Sequence, residues 1–419
     1  MGKDFIVFLL HNCYYRRPEN AISTGYFCPM NSRQLFQAHL AQTSPAPIGL
    51  HIVKAEGNYL HDAEGNKYLD LIGGISVCNI GHSHPEVIAA VKKQADEYLH
   101  VMVYGELVQS PQIEYAHLLT QHLPASLDCV YFTNSGAEAT EGAIKLARRA
   151  TGKTDIIACN KSYHGNTTGA LALMGDEYWR NAFRPLMPGV WHYDYNSQEL
   201  IDAINHDTAC VLIETIQAEA GVIEPRQDWL SQLREKCTNT GTLLIFDEIQ
   251  CGFGRTGKLW GFEHYDITPD ILLLGKALGG GLPLGAFISS HELMQKLTHD
   301  PVLGHITTFG GHPLSCAAGM AAFNVLQKEN MVAGVAAKEQ LFRSLLKHPS
   351  IRSVRSKGLL MAIELESAES VINTLQKCLE KRLFSDWFLF APGCIRVAPP
   401  LTITEEEIAQ ACEILNECL

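Results

Sequence analysis

The sequence predicts an α/β protein in which helices cover both faces of a large, mostly parallel sheet, with a smaller α+β domain beside it. Short apolar runs of four to six residues alternate with helical stretches, and this alternation is typical of parallel strands that are buried on both faces. After about residue 313 the pattern changes to long Ala- and Leu-rich helices. The chain has 419 residues, 46% of them hydrophobic, so it can bury a core without disulfides or metal.

The individual elements follow from local composition. The candidate strands are rich in leucine or β-branched residues and lie at Cys129–Thr133, Asp155–Cys159, 210–214, 242–246 and Ile271–Leu274. The helical patterns between them lie at 137–149, 197–204 and 229–238. Two later apolar segments, 357–364 and 394–400, predict the sheet of the smaller domain.

We divide the chain into four segments on these patterns. The large domain spans 81–312, the C-terminal small domain spans 313–419, and an N-terminal segment that joins the small domain spans 30–80. Residues 1–29 are expected to be a disordered extension, or to reflect a start codon assigned too early, because a polar, helix-like stretch opens at Met30. The apolar run at 5–10 is too short for a signal sequence or a membrane span.

Charge and cysteine usage narrow the class of protein. The chain carries 45 acidic and 33 basic residues, a net charge of -12, with no cluster of lysine and arginine. This balance argues against nucleic acid or an anionic membrane as the main partner and favours a small-molecule enzyme. The 13 cysteines are scattered without a C-x-x-C pair, which predicts free thiols in the cytoplasm.

Polar residues follow several of the predicted strands, where ligands gather in parallel α/β sheets. Ser135 forms a capping box with Glu138, and Gly136 lets backbone amides approach a ligand closely. A helix start of this kind binds anions such as phosphate. A plain strand-to-helix turn carries the same residues, and this motif alone favours that simpler interpretation.

Three more polar positions complete the pattern. Asp247 follows a fully apolar run, Lys276 comes directly after a buried strand and ahead of three glycines, and Thr308 lies in a hydroxyl-rich loop. Read singly, Asp247 could be a loop carboxylate, and Lys276 could extend from a strand end into solvent. A nucleotide–metal role for Asp247 fails because the chain has no P-loop sequence. Burial of Lys276 would lower its pKa, as a Schiff-base lysine requires.

Together these positions match the chemistry of pyridoxal phosphate. Its phosphate suits the helix start at Ser135, Gly136 and Ala137, and its aldehyde reacts with a lysine such as Lys276. Its ring nitrogen must stay protonated for the ring to act as an electron sink, and a carboxylate such as Asp247 keeps it so. The sequence therefore predicts pyridoxal phosphate as the cofactor and predicts no metal.

Short motifs from about residue 45 to the C-terminus carry a family resemblance. They are Gly81-His-Ser-His-Pro85, Ser135-Gly-Ala-Glu-Ala139, Tyr163-His-Gly165, Asp247-Glu-Ile-Gln250, Gly252-Phe-Gly-Arg-Thr-Gly257, Gly275-Lys-Ala-Leu278, Thr308-Phe-Gly-Gly311 and Arg396-Val-Ala-Pro-Pro400. With them the chain resembles the class III aminotransferases of the fold-type-I pyridoxal phosphate superfamily. That group includes ornithine, acetylornithine and 4-aminobutyrate aminotransferases and the omega-transaminases. The resemblance implies a large domain with a seven-stranded, mostly parallel sheet.

The resemblance also implies roles for single residues. Lys276 would hold the cofactor as a Schiff base and then move the proton between the substrate α carbon and the cofactor. Asp247 would pair with the ring nitrogen, and Gln250 would bond the ring hydroxyl. Tyr163 would stack on the ring face.

The phosphate would be shared between two subunits. The resemblance places it at Ser135, Gly136 and Ala137 of one subunit, with Thr308 reaching it from the neighbouring subunit. The active site would then belong to a homodimer.

Substrate binding is where the sequence departs from the family pattern. Arg396 matches the family's carboxylate-binding arginine, and Glu219 matches the glutamate that covers it in members that use 2-oxoglutarate, which favours 2-oxoglutarate over pyruvate as acceptor. Asn166 stands where related enzymes carry a second arginine, and Ile75 stands where ornithine enzymes tend to carry a tyrosine. The loss of one carboxylate clamp favours an omega-amine or diamine donor, or an amino acid bound in another way.

Two motifs have simpler interpretations than cofactor or metal binding. The segment 252–257 matches a dinucleotide fingerprint, but no helical pattern follows it. His82 and His84 could bind a metal, but no acidic or cysteine partner lies at ligand spacing, so a structural turn is favoured.

The sequence thus predicts a transaminase that works by a ping-pong Schiff-base mechanism. It would move an amino group from an amino acid, omega-amino acid or diamine to an oxo acid, with 2-oxoglutarate favoured. A pyruvate-dependent omega-transaminase, an aminomutase or a decarboxylase on the same cofactor are the alternatives within the fold. A binding protein on a transaminase scaffold is a further alternative, which the intact Lys276 and Asp247 argue against.

Overall fold

The computed structural model describes residues 31–419, so the predicted extension at 1–29 lies outside the described residues. The strands are β1 (Ile52–Glu56), β2 (Tyr59–Asp62), β3 (Lys67–Asp70), β4 (Cys129–Thr133), β5 (Asp155–Cys159), β6 (Val190–Tyr193), β7 (Thr208–Glu214), β8 (Leu243–Asp247), β9 (Ile271–Leu274), β10 (Gly285–Ser289), β11 (Ser353–Lys357), β12 (Leu360–Glu364), β13 (Leu383–Phe384), β14 (Asp386–Phe388) and β15 (Ala391–Val397).

The α-helices alternate with these strands. They are α1 (Ser32–His39), α2 (Gly73–Ser76), α3 (Pro85–Glu97), α4 (Ser110–Thr120), α5 (Gly136–Thr151), α6 (Thr168–Leu173), α7 (Glu177–Arg180), α8 (Gln198–Ala203), α9 (Gln227–Thr240), α10 (His291–Met294), α11 (Pro313–Lys328), α12 (Val335–Leu345), α13 (Ala368–Glu380) and α14 (Glu405–Cys418). Within residues 31–419, no helix has the length and apolar character needed to cross a lipid bilayer.

A seven-stranded sheet forms the centre of the molecule, in the order β4-β10-β9-β8-β7-β5-β6. The strands from β9 to β6 are parallel, and β10 runs antiparallel to both of its neighbours. The predicted fold class is therefore confirmed. Every residue of β7 and β9 is buried, which explains their continuous apolar sequences.

Two strands of this sheet were not predicted. Strand β6 lies at the edge of the sheet, and its residues are only partly buried. Its sequence, Val-Trp-His-Tyr, therefore lacks the apolar run that marks a buried strand. The sequence of β10 begins with glycine and reads Gly-Ala-Phe-Ile-Ser, yet the whole strand is buried. Both strands owe their state to their neighbours rather than to local propensity.

Helix α5 shows why a helix starts directly beyond the sheet. Ser135 caps it, because its Oγ accepts a hydrogen bond from the Glu138 N–H at 3.2 Å, and Gly152 ends it in the left-handed conformation at φ 70°. Gly142 allows close packing on the sheet, since a Cβ there would lie 2.3 Å from the ring of Phe287 on β10. The first turn of α5 is thereby held at the carboxyl end of β4.

Two smaller sheets combine distant parts of the chain. In one, with the order β1-β2-β3-β13, Leu383 pairs with Leu69 in parallel, so the N-terminal strands meet the C-terminal region. The other is antiparallel, with the order β11-β12-β15-β14, and it carries Arg396 on β15. The boundaries of the four predicted segments stay a prediction.

Candidate active site

A cavity of about 220 Å³ lies where the strands β7, β8 and β9 end. Eight residues predicted for the site line it: Gly136, Ala137, Tyr163, Asn166, Glu219, Asp247, Gln250 and Lys276. They come from widely separated parts of the sequence, and parallel strands bring them together because their carboxyl ends share one edge of the sheet.

Lys276 follows β9 at the start of a short 3₁₀ turn, Lys276–Gly279. Its backbone adopts φ 49°, a left-handed value that is uncommon for a side chain of this size. Its Nζ lies inside the cavity and donates a hydrogen bond to Gln250 Oε1 at 3.0 Å. Burial lowers the pKa of Lys276 below its ordinary value. The amine is therefore closer to its neutral, nucleophilic form than a surface lysine would be.

Asp247 ends β8 and is held on both carboxylate oxygens. Its Oδ2 lies 2.7 Å from His164 Nδ1, and its Oδ1 accepts the Ile249 N–H at 2.9 Å. The His164 side chain is wholly buried. Sequence reasoning gave His164 no role, although it stands inside the Tyr163-His-Gly165 motif. The imidazole orients the carboxylate, much as ligand-holding groups are oriented in other sites.

Glu214 is a further acid that lines the cavity, and sequence reasoning missed it. It ends β7 directly opposite Asp247 in the parallel register. Its carboxyl accepts N–H groups from Tyr163 at 3.3 Å and Ala218 at 2.8 Å. Burial, reinforced by the charge of Asp247, raises the pKa of Glu214 well above its ordinary value. The sequence signal was present, because Glu214 ends an apolar run just as Asp247 does.

Glycines shape the end of the cavity at α5. A Cβ on Gly136 would lie 2.7 Å from Ile249 Cδ1, and a Cβ on Gly165, whose φ is 125°, would lie 2.5 Å from the Cβ of Ala137. The N–H groups of Gly136 and Ala137 belong to the first turn of the helix. N–H groups in a first turn have no hydrogen-bond acceptor within the helix. The partial positive charge of these N–H groups lies at this end of the cavity, where it would stabilise a bound anion.

These features fit pyridoxal phosphate. The first turn of α5 suits its phosphate, and the buried Lys276 amine suits its aldehyde. Asp247 offers a carboxylate of the kind that the ring nitrogen requires. Gln250 Nε2 is buried without a hydrogen-bond partner within residues 31–419, so a polar group of a bound molecule would satisfy it.

Arg396 and Glu219 form a buried pair beside the cavity. Arg396 Nη1 and Nη2 donate to the two oxygens of Glu219 at 2.7 and 2.9 Å, in a planar fork. Only 3% of the Arg396 side chain and 8% of the Glu219 side chain are exposed. Burial alone would lower the pKa of Arg396, but Glu219 and Asp386 raise it above its ordinary value. The arginine is therefore charged and already occupied by a carboxylate.

The family model named Aminotransferase class-III matches residues 40–419. The chain belongs to this family. Acetylornithine aminotransferase from Caldanaerobacter subterraneus subsp. tengcongensis is 39% identical over 384 residues, which cover 88% of this chain and 94% of that protein. The same named enzyme from Methanopyrus kandleri is 39% identical over 396 residues, covering 93% and 99%. An ornithine aminotransferase structure from Toxoplasma gondii, described with partial occupancy of PLP at its active site, is 32% identical with a TM-score of 0.84, covering 91% of this chain and 92% of that one.

As a class III aminotransferase, the protein has the fold-type-I architecture and uses pyridoxal phosphate to move an amino group to an oxo acid. The cavity at the strand ends matches that chemistry.

Besides Arg396, two predicted residues of this aminotransferase lie outside the cavity of their own chain. Thr308 is exposed in the loop before α11, next to Thr307, whose Oγ1 accepts a hydrogen bond from Asn134 Nδ2 at 3.0 Å. Ile75 is 40% exposed in α2 and has φ 62°. A third, Ser135, caps α5 and does not line the cavity itself.

The structure also explains the motifs with simpler interpretations. After the 252–257 segment the chain forms turns and no helix that could hold a dinucleotide. Arg255 is fully buried there and donates to the carbonyls of Leu359 and Pro399. His82 lies 2.7 Å from Asp70, and His84 caps α3. Residues 31–419 contain no cluster of three or more potential metal ligands.

Proposed function

We propose that this aminotransferase takes its amino group from an omega-amine or diamine and passes it to 2-oxoglutarate. The observation that carries the proposal is the Arg396–Glu219 pair combined with Asn166. A donor without a carboxylate near Arg396 leaves the pair closed, whereas a dicarboxylate acceptor displaces Glu219 and binds the arginine fork. Asn166 supplies no second positive charge to hold a donor carboxylate.

We propose the following roles in the reaction. When bound, pyridoxal phosphate supplies an electron sink for the bonds at the substrate carbon. Lys276 holds the cofactor and then moves a proton at the reacting carbon through its Nζ, for which a lowered pKa is suited. Asp247, oriented by His164, stabilises the proton on the ring nitrogen. Gln250 and Tyr163 position the ring.

Glu219 would act as a movable cover on Arg396. Its two oxygens occupy the fork donors that a substrate carboxylate needs. Leu389 N–H also donates to Glu219 Oε2 at 3.0 Å, so the covering position is specifically held. With Glu219 on Arg396 the site would accept the donor, and with Glu219 moved away it would accept the oxo acid. One site would therefore serve both half-reactions.

We also propose a homodimer in which Thr308 of each subunit serves the partner's phosphate site. Two segments with exposed apolar side chains, 107–113 and 302–309, support this. Large exposed apolar patches mark interaction surfaces. The segments lie near each other, because Gln112 Nε2 donates to Gly311 O at 2.6 Å and the His100 and Phe309 rings lie 4.7 Å apart. Their exposed residues include Leu107, Val108, Ile113, Val302, Leu303 and Phe309.

We also propose a cytoplasmic location. The cysteines within residues 31–419 are all free thiols, which is typical of proteins in a reducing compartment.

N-acetylornithine is the second candidate donor, because relatives with 39% identity carry the name acetylornithine aminotransferase. Asn166 argues against it, since this donor would present a carboxylate with no second arginine to hold it.

The test is a half-reaction with the purified holoenzyme. Each donor in a panel of diamines, omega-amino acids and N-acetylornithine is added alone, and loss of the visible band of the lysine-bound cofactor is followed by stopped flow. Faster loss with diamines than with N-acetylornithine supports the proposal. The reverse order would contradict it. Recovery of the band with 2-oxoglutarate but not with pyruvate tests the acceptor.

A further inference from the structure

Arg396 contacts a second carboxylate that the proposed function does not use. Asp386 lies on β14, directly opposite Arg396 in the antiparallel register with β15. Its Oδ1 lies 3.0 Å from Arg396 Nε, and 24% of its side chain is exposed. Burial raises the pKa of Asp386 to about 6, so the group is ionised at neutral pH.

The two carboxylates contact different edges of the guanidinium. Glu219 occupies the end formed by Nη1 and Nη2. Asp386 lies at Nε, Trp387 O accepts from Nη2 at 2.9 Å, and the Phe388 ring lies 4.6 Å from the guanidinium carbon. The β14 strand therefore keeps its contacts with the arginine when Glu219 leaves.

This arrangement places more negative than positive charge around the arginine. One guanidinium faces two carboxylates, and both pairs have an N–O distance of 3.0 Å or less. A substrate carboxylate that displaces Glu219 would become a third negative group in the same region. Before the exchange Asp386 repels Glu219 at the fork. After it, Asp386 would repel the substrate carboxylate at the fork and also the displaced Glu219 at longer range, so the charge on Asp386 disfavours the exchange. The same charge attracts an ammonium group.

We propose that Asp386 is a specificity-determining residue that weakens carboxylate binding at Arg396 and favours cationic amines. The inference rests on the proposed function, because it assumes that Arg396 receives the acceptor carboxylate. Asp386 does not touch the reacting atoms. It acts through Arg396.

The test is Asp386→Asn, which removes the charge and keeps the size of the side chain. Binding of glutarate, an unreactive dicarboxylate, to the holoenzyme is measured by calorimetry, and KM is measured for 2-oxoglutarate and for a diamine. Glutarate Kd and the KM for 2-oxoglutarate should each fall by about threefold to tenfold, the size expected for one charge several ångströms away at intermediate dielectric constant. The KM for the diamine should rise or stay unchanged.

A matched control is Glu417→Gln on α14, which removes one charge from the exposed ion pair that Glu417 forms with Lys381. It should leave glutarate Kd unchanged. If Asp386→Asn lowers the melting temperature, Asp386→Ser repeats the test with another neutral residue.

The proposal is overturned if glutarate Kd rises or does not change in the neutral variants, or if both KM values move in the same direction. These outcomes are separate from a failure of the proposed function, because glutarate binds without reacting. If diamines are not donors, the donor panel shows it while the calorimetry still tests Asp386.

Discussion

The two walls of the cavity are built in different ways. On the cofactor wall, Asp247 ends one buried strand of the central sheet, Lys276 follows another, and the first turn of α5 lies beside them. On the substrate wall, Glu219 lines the cavity from the region after β7. Arg396, which is paired with Glu219 beside the cavity, comes from a separate sheet. The cofactor wall depends on local strand-end geometry, whereas the substrate wall depends on long-range contacts. If the proposed roles hold, a change of substrate requires few changes to the residues of the cofactor wall.

The largest expected effect is on the cofactor wall, at Lys276. Lys276→Ala removes the amine that we propose holds the cofactor and moves the proton, so kcat should fall by about 10⁴-fold or more. Lys258→Ala, at an exposed lysine, should retain normal kcat. Steady-state kinetics and the visible spectrum check both variants. Normal turnover by the Lys276→Ala protein would refute the proposed mechanism.

Asp247→Asn should reduce kcat by about 10²- to 10³-fold, because it replaces a charge in a water-poor site with a neutral amide. The neighbouring Glu248 provides the contrast. It faces away from the cavity and accepts hydrogen bonds from Thr215 Oγ1, Gly261 N and Phe262 N. Glu248→Gln should lower the melting temperature and keep most of kcat, as thermal unfolding and kinetics would show. Equal losses of activity in the two variants would remove the distinction.

On the substrate wall the effects should be smaller and selective. Glu219→Gln removes the charge that covers Arg396, so KM for 2-oxoglutarate should fall and KM for a diamine should rise, by about tenfold in ratio. The size of this change is that expected when the charge-assisted hydrogen bonds between Arg396 and Glu219 are weakened. Measuring both KM values on the same protein is the check, and a uniform change in the two would mean that Glu219 has only a structural role.

The smallest predicted effect concerns Asn166. Asn166→Arg adds a planar fork to the cavity, so kcat/KM for carboxylated amines should rise several-fold relative to uncarboxylated ones. Asn166→Lys is the matched control, since it adds charge without the fork and should give a smaller change. An unchanged ratio in the arginine variant would remove the argument that Asn166 selects the donor.

The two walls also differ in how much of each could be predicted from the sequence. It predicted the strands that end at Asp247 and before Lys276, because fully buried parallel strands have continuous apolar sequences. It did not predict β6 or β10, whose state depends on their neighbours. It predicted Gly136, Ala137, Asp247 and Lys276 from their positions after buried strands, whose carboxyl ends share one edge of the sheet. The other four lining residues, Tyr163, Asn166, Glu219 and Gln250, came from the family resemblance.

The residues that sequence reasoning missed act on other residues. His164 is recognised only by its 2.7 Å contact with Asp247, and Asp386 only by its register with Arg396. His164 and Asp247 are 83 residues apart along the chain, and Asp386 meets Arg396 only through the register in which β14 and β15 pair. Glu214 is different, because a carboxylate at the end of an apolar run was visible in the sequence.

The most direct test of the account is transfer of a labelled amino group. The holoenzyme is incubated with a ¹⁵N-labelled diamine and 2-oxoglutarate, and the products are analysed by mass spectrometry. The account predicts ¹⁵N-glutamate in an amount equal to the oxidised donor, and none with the Lys276→Ala protein. Consumption of the donor without label in any amino acid derived from the oxo acid would contradict it and would favour an aminomutase or a decarboxylase.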